Sequence, residues 1–248
     1  MTYEAPNRNI QLIELGLIDF KEAWDYQEKL FAEIVAIKLN NRNNLEQTLV
    51  PNYLIFCEHP PVYTLGKSGS EDNLLIDDDQ LNQLGARFYK INRGGDITHH
   101  GPGQLVVYPL LDLENFFTDI HLYLRKLEEV VIQLLHQYNV EASRSPGFTG
   151  VWIDANTEKA RKICAMGVKC SRWVTMHGIA LNVSNELSFF NHIIPCGIED
   201  KSVTNLFIEA TDANINMEDV KHLFSSLFAK EFEANITIEL MAQPLPAK

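Results

Sequence analysis

Cys196 stands apart from the other three cysteines of the chain. It lies between Pro195 and Gly197, after an apolar run, in the stretch HIIPCGIED. Proline fixes the approach of the chain and glycine leaves the sulfur uncrowded, which is the placement that a nucleophilic thiol needs. The other three cysteines fall in apolar strand patterns typical of buried packing residues, and such packing is the alternative role for Cys196.

Lys162 opens the stretch KICAMGVKC, whose other residues are mostly apolar or small. A lysine on the buried face of a strand is costly unless it is paired, and a cysteine thiolate is one partner. An ammonium group lowers the pKa of a thiol, so the two groups can activate each other. From these residues alone, a strand-end lysine that reaches solvent is the favoured interpretation.

A glycine-rich segment, RGGDITHHGPGQLVVYP, occupies residues 93–109. Gly94-Gly95 permits positive φ, and Gly101-Pro102-Gly103 is typical of a rigid turn. The pattern is neither a dinucleotide fingerprint nor a phosphate loop, because Pro61 stands where the loop ending in Gly66-Lys67-Ser68 would need its first glycine. Two interpretations stay open with equal weight: backbone shaped to hold a ligand, or a hairpin loop with incidental histidines.

His177 and Gly178 precede an apolar strand pattern, and Asn182 interrupts its end, in MHGIALNV. His177 either orients a site or hydrogen-bonds within a sheet. No histidine or cysteine pair has zinc-finger spacing, and Cys57-x-His59 alone is a weak signal, so we predict no metal site.

Bulk properties narrow the class of protein. The 248 residues carry a formal net charge of −12, which makes nucleic acid an improbable partner. The sequence has no apolar run long enough to span a membrane and no secretory pattern, and its four cysteines suit reduced thiols, so we expect a cytoplasmic protein without membrane association. Residues 144–177 hold a net +4, which we expect to rim the entrance of a site, whereas residues 71–79 hold −5.

Hydrophobic periodicity predicts the elements that position these residues. Two long helices start at Asp19 and Asp119, and a third helix covers about residues 217–230. Strands are predicted at NIQLIEL, NYLIFCEHPPVYTLG (two strands), ARFYKIN, QLVVYPLLDL, GVWID, KICAMGVKC, MHGIALNVS and NITIEL. This order predicts an α+β fold with a mixed, mostly antiparallel sheet flanked by helices. We predict one catalytic domain over residues 1–248, with residues 207–248 as a C-terminal covering segment.

Five motifs in order resemble the lipoyl(octanoyl) transferases of lipoate biosynthesis: EHPPVYTLGKS, RGGDITHHGPGQLVVYPLLDL, KICAMGV, HGIALNV and PCGIED. The resemblance runs from about Leu12 to about Leu206. It implies a fold shared with biotin- and lipoate-protein ligases and an acyl-enzyme mechanism with a Cys/Lys dyad, here Cys196 and Lys162.

The resemblance also implies which residues line the acyl chain, with Gln104, His177 and Asn182 as supporting candidates. In the family an aromatic residue often replaces His99, so His99 is the less secure of the two adjacent histidines. The implied lining residues are Arg93, Gly94, Gly95, Asp96, Ile97, Thr98, His99, His100, Ala165, Met166, Gly167, Gly178, Ile179 and Ala180.

The implied reaction moves an octanoyl group from octanoyl-acyl carrier protein, through a thioester on Cys196, to a lysine of lipoyl domains. The acceptors would be the lipoyl domains of 2-oxoacid dehydrogenase complexes and the glycine cleavage H protein. No cofactor is expected, because passing from thioester to amide is downhill, and we expect a monomer. The alternatives are an ATP-dependent lipoate-protein ligase, a non-catalytic acyl or carrier-protein binding module, and a cysteine hydrolase.

Overall fold

The computed structural model describes residues 6–44, 47–194, 202–210 and 214–238. Its strands are β1 (Asn9–Leu17), β2 (Tyr53–Glu58), β3 (Val62–Leu65), β4 (Arg87–Lys90), β5 (Ile97–His100), β6 (Gln104–Leu110), β7 (Ser143–Ser145), β8 (Phe148–Ile153), β9 (Arg161–Ser171), β10 (Val174–Asn182), β11 (Ser202–Val203) and β12 (Asn235–Ile238). Its α-helices are α1 (Phe20–Asn43), α2 (Asp78–Gln83), α3 (Ile120–Gln137), α4 (Leu206–Glu209) and α5 (Met217–Phe232).

Two sheets organise the described residues. The large sheet has the order β12-β1-β2-β6-β10-β9-β8-β7, with β11 beside β9, and the small sheet has the order β4-β3-β5. Six of the ten strand pairings between described residues are antiparallel, which confirms the predicted mixed, mostly antiparallel α+β fold.

Alternation along β6 divides the core between the two faces of the large sheet. Leu105 and Val107 pack with α3 and α5, whereas Val106 and Tyr108 pack with α1. Successive side chains of a strand point to opposite faces, so the wholly apolar stretch LVVY reflects a strand covered on both sides.

The helix starts follow the sequence. The carboxylates of Asp19 and Asp119 accept hydrogen bonds from backbone N–H groups of the first turns of α1 and α3. The inner face of α1 differs from the apolar spacing at Gln27 and Lys38, which are both buried, and the amine of Lys38 pairs with Asp112. None of the helices in the described ranges combines the length and apolarity needed to cross a membrane.

The sequence patterns did not predict five of these elements, which include the three-residue β7 and the four-residue α4. β5 is embedded in the glycine-rich segment and becomes a strand only by pairing with β3, and α2 is a six-residue helix closed by a capping box between Asp77 and Gln80. β11 has two residues and exists through its pairing with β9. At the other end of the chain, α5 buries three phenylalanines against α3 and β12 adds parallel to β1.

Candidate active site

One cavity of about 430 Å³ lies between the glycine-rich loop and strands β9 and β10 of the large sheet. Most of the predicted site residues line it: Arg93, Gly94, Gly95, Asp96, Ile97, Thr98, His100, Gln104, Lys162, Ala165, Met166, Gly167, His177, Gly178, Ile179, Ala180 and Asn182. The topology thus brings three distant segments of the sequence to one wall.

The loop 93–97 is held on both sides. The Gly94 N–H donates to the Val168 carbonyl at 3.0 Å, which ties the loop to β9. The guanidinium of Arg93 donates to the carbonyls of Gly94 (2.8 Å) and Asp96 (2.7 Å), so it braces the turn from inside. The loop is therefore a fixed wall made largely of backbone.

Glycines allow backbone to approach backbone at this wall. A Cβ on Gly167 would lie 2.7 Å from the Gly94 carbonyl oxygen, and one on Gly66 would lie 2.2 Å from the Gly95 carbonyl oxygen. Both distances are shorter than real Cβ contacts, so neither position accepts a side chain without moving the loop. The close backbone contacts explain why glycine occupies positions 66 and 167.

A buried chain of hydrogen bonds runs from the loop toward Lys162. The Nδ1–H of His100 donates to the Gln104 Oε1 (2.8 Å), because the Gln104 amide nitrogen is engaged with the His99 carbonyl and, at 2.9 Å, with the Asn182 Oδ1. Asn182 in turn donates to the Thr204 carbonyl (2.9 Å). Gln104 and Asn182 therefore position the loop against the segment beside Lys162.

His177 is buried on the cavity wall in a left-handed conformation, φ +60°. Its Nε2–H donates to the Asn92 Oδ1 at 2.8 Å, because the Asn92 amide nitrogen already donates to Glu28. Burial lowers the pKa of His177 to about 3, so its ring is neutral at pH 7. His177 is thus hydrogen-bonded within the fold and also faces the cavity, and its role in orienting a site stays a prediction.

His99 does not line the cavity. The alternation of β5 turns it away from the face that carries Thr98 and His100, and its ring stacks on Phe189 at 4.7 Å between centroids. The ring of His99 therefore packs in the fold instead of taking its predicted place in the lining.

His59 and Tyr108 form a buried hydrogen-bonded pair that the sequence did not predict. His59 donates through Nδ1 to the Ile18 carbonyl (2.8 Å), which leaves its Nε2 to accept from the hydroxyl of Tyr108 (2.8 Å), and Tyr108 lines the cavity. Burial lowers the pKa of His59 to about 4. His59 lies in the motif EHPP, but its partner Tyr108 is 49 residues away in sequence, so the pair was not predicted.

Lys162 lies at the cavity, with its amine 4.6 Å from the ring centre of Trp152. The pairing of β8 with β9 shifts register beside it, because Val151 pairs with Cys164 whereas Trp152 pairs with Lys162. Ile163 is therefore the extra residue of a β-bulge. The favoured interpretation from the residues alone, a lysine reaching solvent, is replaced by a half-buried amine on an aromatic face.

Cys196 lies outside the described residues, so its distance from Lys162 stays a prediction. The described residues on both sides of it meet the cavity. Phe190 and Val203 line the cavity, and Val203 pairs with Lys162 in the register of β11 and β9.

Several basic residues of 144–177 are held in ion pairs, and their place at the entrance of the cavity stays a prediction. Arg144 pairs with Glu128 and Glu129, Arg161 with Asp154 and Glu209, and Lys169 with Glu28. Four of these carboxylates come from elsewhere in the chain, which the local count could not include. Among the described residues no cluster of His, Cys, Asp and Glu is arranged to hold a metal ion.

The fold and this wall define the class of protein. The bipartite lipoate protein ligase of Thermoplasma acidophilum superposes with a TM-score of 0.64 at 16% identity, covering 94% of this chain and 86% of that one. A biotin protein ligase from Aquifex aeolicus, solved with biotin and ATP, gives a TM-score of 0.50 at 15% identity over 90% of this chain and 70% of that one. At these identities the likeness shows the fold alone.

Sequence relatives place the chain within that class. The family model of the lipoyl protein ligase A/B catalytic domain matches residues 19–229. An octanoyltransferase of Christiangramia forsetii is 55% identical over 230 residues, covering 93% of this chain and 98% of the relative. The chain belongs to the lipoyl protein ligase A/B catalytic domain family, among its octanoyltransferases. The predicted family and its acyltransferase class are confirmed.

Proposed function

We propose that this chain carries out octanoyl transfer through a thioester on Cys196, with Lys162 as its proton-transfer partner. The register pair Val203–Lys162 carries the proposal. Cys196 precedes Val203 by seven residues. The Thr204 N–H also donates to the Lys162 carbonyl (3.0 Å), so the chain that leaves the cysteine is fastened to the lysine's own strand.

The cavity suits an alkyl chain. The glycines remove side chains from its wall, and the neutral rings of His100 and His177 place no imidazolium charge beside it, because burial lowers the pKa of both. Each buried methylene contributes about 0.8 kcal/mol, so a closed apolar slot binds an octanoyl chain well. The lining follows β9 from Lys162 to Val168, about 20 Å of strand, which exceeds the length of an extended eight-carbon chain.

The first half-reaction acylates the enzyme. Lys162 takes the proton of the Cys196 thiol, the thiolate attacks the thioester carbonyl of octanoyl-acyl carrier protein, and the carrier's thiol leaves with a proton. In the second half-reaction, the amine of an acceptor lysine attacks octanoyl-Cys196 and loses a proton to the Lys162 amine. The products are an amide and the free thiol, and neither step needs ATP.

The oxyanion of each tetrahedral intermediate needs hydrogen-bond donors. Gln104 is not available, because its amide nitrogen is bonded to the His99 carbonyl and Asn182, and the N–H of His100 is bonded to Gln104. We therefore assign this role to backbone N–H groups around Cys196 and Lys162.

Lipoyl domains are the proposed acceptors, namely those of 2-oxoacid dehydrogenase complexes and the glycine cleavage H protein. The bipartite ligase of T. acidophilum was solved in a study of a lipoylation system with its E2 lipoyl domain, which supports a domain of this kind at the mouth. An acyl carrier protein as donor and a monomeric enzyme complete the proposal.

Mass measurement tests the acyl-enzyme. The chain is incubated with octanoyl-acyl carrier protein without acceptor, and intact-protein mass is followed. We expect one octanoyl adduct that moves to a lipoyl domain when that domain is added, and no adduct on Cys196→Ser. An ATP-dependent ligase would retain most of its activity in Cys196→Ser and would require ATP, and that pair of results would refute the proposal.

A further inference from the structure

The strand that carries Lys162 changes face at the bulge. Ile163 and Cys164 are neighbours in sequence, yet both are fully buried in the core on the α3 side of the sheet. Side chains of a regular strand alternate, so a strand without the extra residue would put Lys162 on the same face as Cys164. The bulge at Ile163 therefore directs Lys162 to the cavity face, which it shares with Ala165 and Gly167.

Gly150 immediately precedes Val151 and Trp152, the β8 residues that pair on either side of this bulge. Its φ is +118°, and a Cβ there would lie 2.5 Å from the Cys164 carbonyl oxygen and 3.6 Å from the Cε of Lys162. Only glycine fits both the conformation and the contact. The position of Gly150 thus determines how closely β8 approaches the bulge and the stem of Lys162.

Glu128 of α3 holds Gly150 in place. Its side chain is wholly buried, and its Oε1 accepts from the Gly150 N–H at 3.0 Å. Its Oε2 accepts from the Nε of Arg144 (3.0 Å) and lies 2.9 Å from the guanidinium of Arg125. A buried carboxylate that is satisfied by charged partners and by one backbone N–H fixes that N–H firmly, because removing the carboxylate leaves buried donors unpaired.

We propose that Glu128 is a positioning residue for Lys162, acting through the Gly150 N–H and the bulge to hold the lysine amine toward the cavity. Glu128 does not touch the substrate. The inference rests on the proposed function, since it assumes that the Lys162 amine serves Cys196.

The chain offers a matched control. Glu129 is the next residue on α3, and it also binds Arg144, with 2.7 Å between its Oε2 and Nη2. Glu129 is partly exposed and makes no bond to Gly150. Glu129→Gln therefore removes the same charge from the same arginine without releasing the bulge.

The test uses Glu128→Gln, Glu128→Asp and Glu129→Gln in the full chain. Glu128→Asp keeps the negative charge for Arg144 and Arg125 but is one methylene short of Gly150, so it preserves folding if the glutamine variant does not. The readouts are kcat for octanoyl transfer and the pH dependence of Cys196 alkylation by iodoacetamide, followed on the peptide that contains Cys196.

We expect both Glu128 variants to lower kcat about 10-fold or more, because small displacements of a reacting group cost rate steeply. We also expect them to move the alkylation midpoint to higher pH, as Lys162→Ala does, while Glu129→Gln does neither. In a Lys162→Ala background, Glu128→Asp should add less than about 2-fold, since both changes remove one interaction.

Three results would each show that Glu128 has only a structural role. They are additive effects in the Lys162→Ala background, an unchanged alkylation midpoint in the Glu128 variants, and equal effects of Glu129→Gln. Failure of the proposed function has a different signature. In that case Lys162→Ala itself changes neither turnover nor alkylation, and the Cys196 adduct is absent.

Discussion

At the scale of single residues, the site combines neutral rings with few charges. The cavity wall carries the amine of Lys162, the guanidinium of Arg93 and the carboxylate of Asp96. The guanidinium is bonded to backbone carbonyls, and the Asp96 carboxylate accepts from Asn73 and from the Ile97 N–H. Lys162 is the proposed proton-transfer group of this wall, because arginine does not release its proton.

Replacing Lys162 tests that assignment. Lys162→Ala removes the cation that favours the thiolate, so we expect the midpoint of the Cys196 alkylation profile to rise and kcat to fall at least about 100-fold, the scale of general acid–base catalysis. Lys162→Arg should be as slow in turnover, because arginine does not release its proton.

The control is Lys159→Ala, which removes the same charge from an exposed position three residues earlier. Its alkylation profile should match that of the unmodified chain. An unchanged profile in Lys162→Ala would instead remove the lysine from the dyad.

At the scale of elements, the acyl wall depends on how closely the loop 93–97 approaches β9. The contact is backbone to backbone, through the Gly94 N–H and the Val168 carbonyl, and it places the Arg93 side chain against Gly167. The shape of the acyl slot therefore depends on the absence of a side chain at Gly167 of β9 as much as on the side chains that line the slot.

Gly167→Ala should widen that contact. The new Cβ would lie 2.5 Å from the Nη1 of Arg93 and 2.7 Å from the Gly94 carbonyl oxygen, so the loop must move. We expect kcat/KM for the octanoyl donor to fall about 10-fold or more, since the slot loses its shape. Steady-state kinetics with donors of different acyl length measure the effect.

Gly85→Asn controls for the loss of a glycine. Gly85 has a φ of +60° and open space around its Cβ position, and asparagine tolerates this conformation. Its kinetics should be unchanged. If Gly167→Ala also retained full kcat/KM, the close approach of loop and strand would have no part in binding the acyl chain.

At the scale of the whole molecule, the fold buries four histidines, of which His100 and His177 line the cavity, and burial is the main cause that lowers each pKa. The pKa falls to about 4 for His59 and to about 3 for both His99 and His177, and that of His100 is also well below its ordinary value. Unfolding returns these rings to water, where their pKa is about 6.5. The unfolded chain therefore binds more protons than the folded chain below that pH.

This difference sets the sign of the pH dependence. Because the folded pKa values are depressed, the stability is complete above about pH 6.5 and is lost as the pH falls below it. Each histidine contributes up to about 1.4 kcal/mol per pH unit in that window. We expect the Tm to be level between pH 7 and 8 and to fall steeply from pH 6.5 to 5, as measured by calorimetry.

His99→Phe should reduce the dependence of stability on pH by the contribution of one titrating histidine. It should also raise stability by about 1 kcal/mol, because the Nδ1 of His99 is buried without a hydrogen-bond partner. Phe189→Leu is the control, since it removes the ring stacked on His99 but keeps the titrating group, so the slope should persist. A slope that is the same in His99→Phe would show that buried histidines do not control acid stability here.

The sequence by itself determined the family, the fold class and most of the wall. The family and the lining residues followed from the resemblance of five motifs, whereas the fold class followed from N-cap carboxylates and apolar periodicity, which are properties of neighbouring residues. Asp19 and Asp119 cap the predicted helices, and all but one of the predicted lining residues in the described chain meet the cavity.

Only the tertiary structure decided the rest, because the deciding partners are distant in sequence. His99 packs on Phe189 in a strand that exists only by pairing with β3, and basic residues of 144–177 pair largely with carboxylates from other segments. The direction of Lys162 depends on one extra residue in β9, beside a glycine that a carboxylate of α3 holds. Sequence patterns predict which residues alternate along a strand, but a bulge reverses the face, and the bulge is recognised only from the register of the two paired strands.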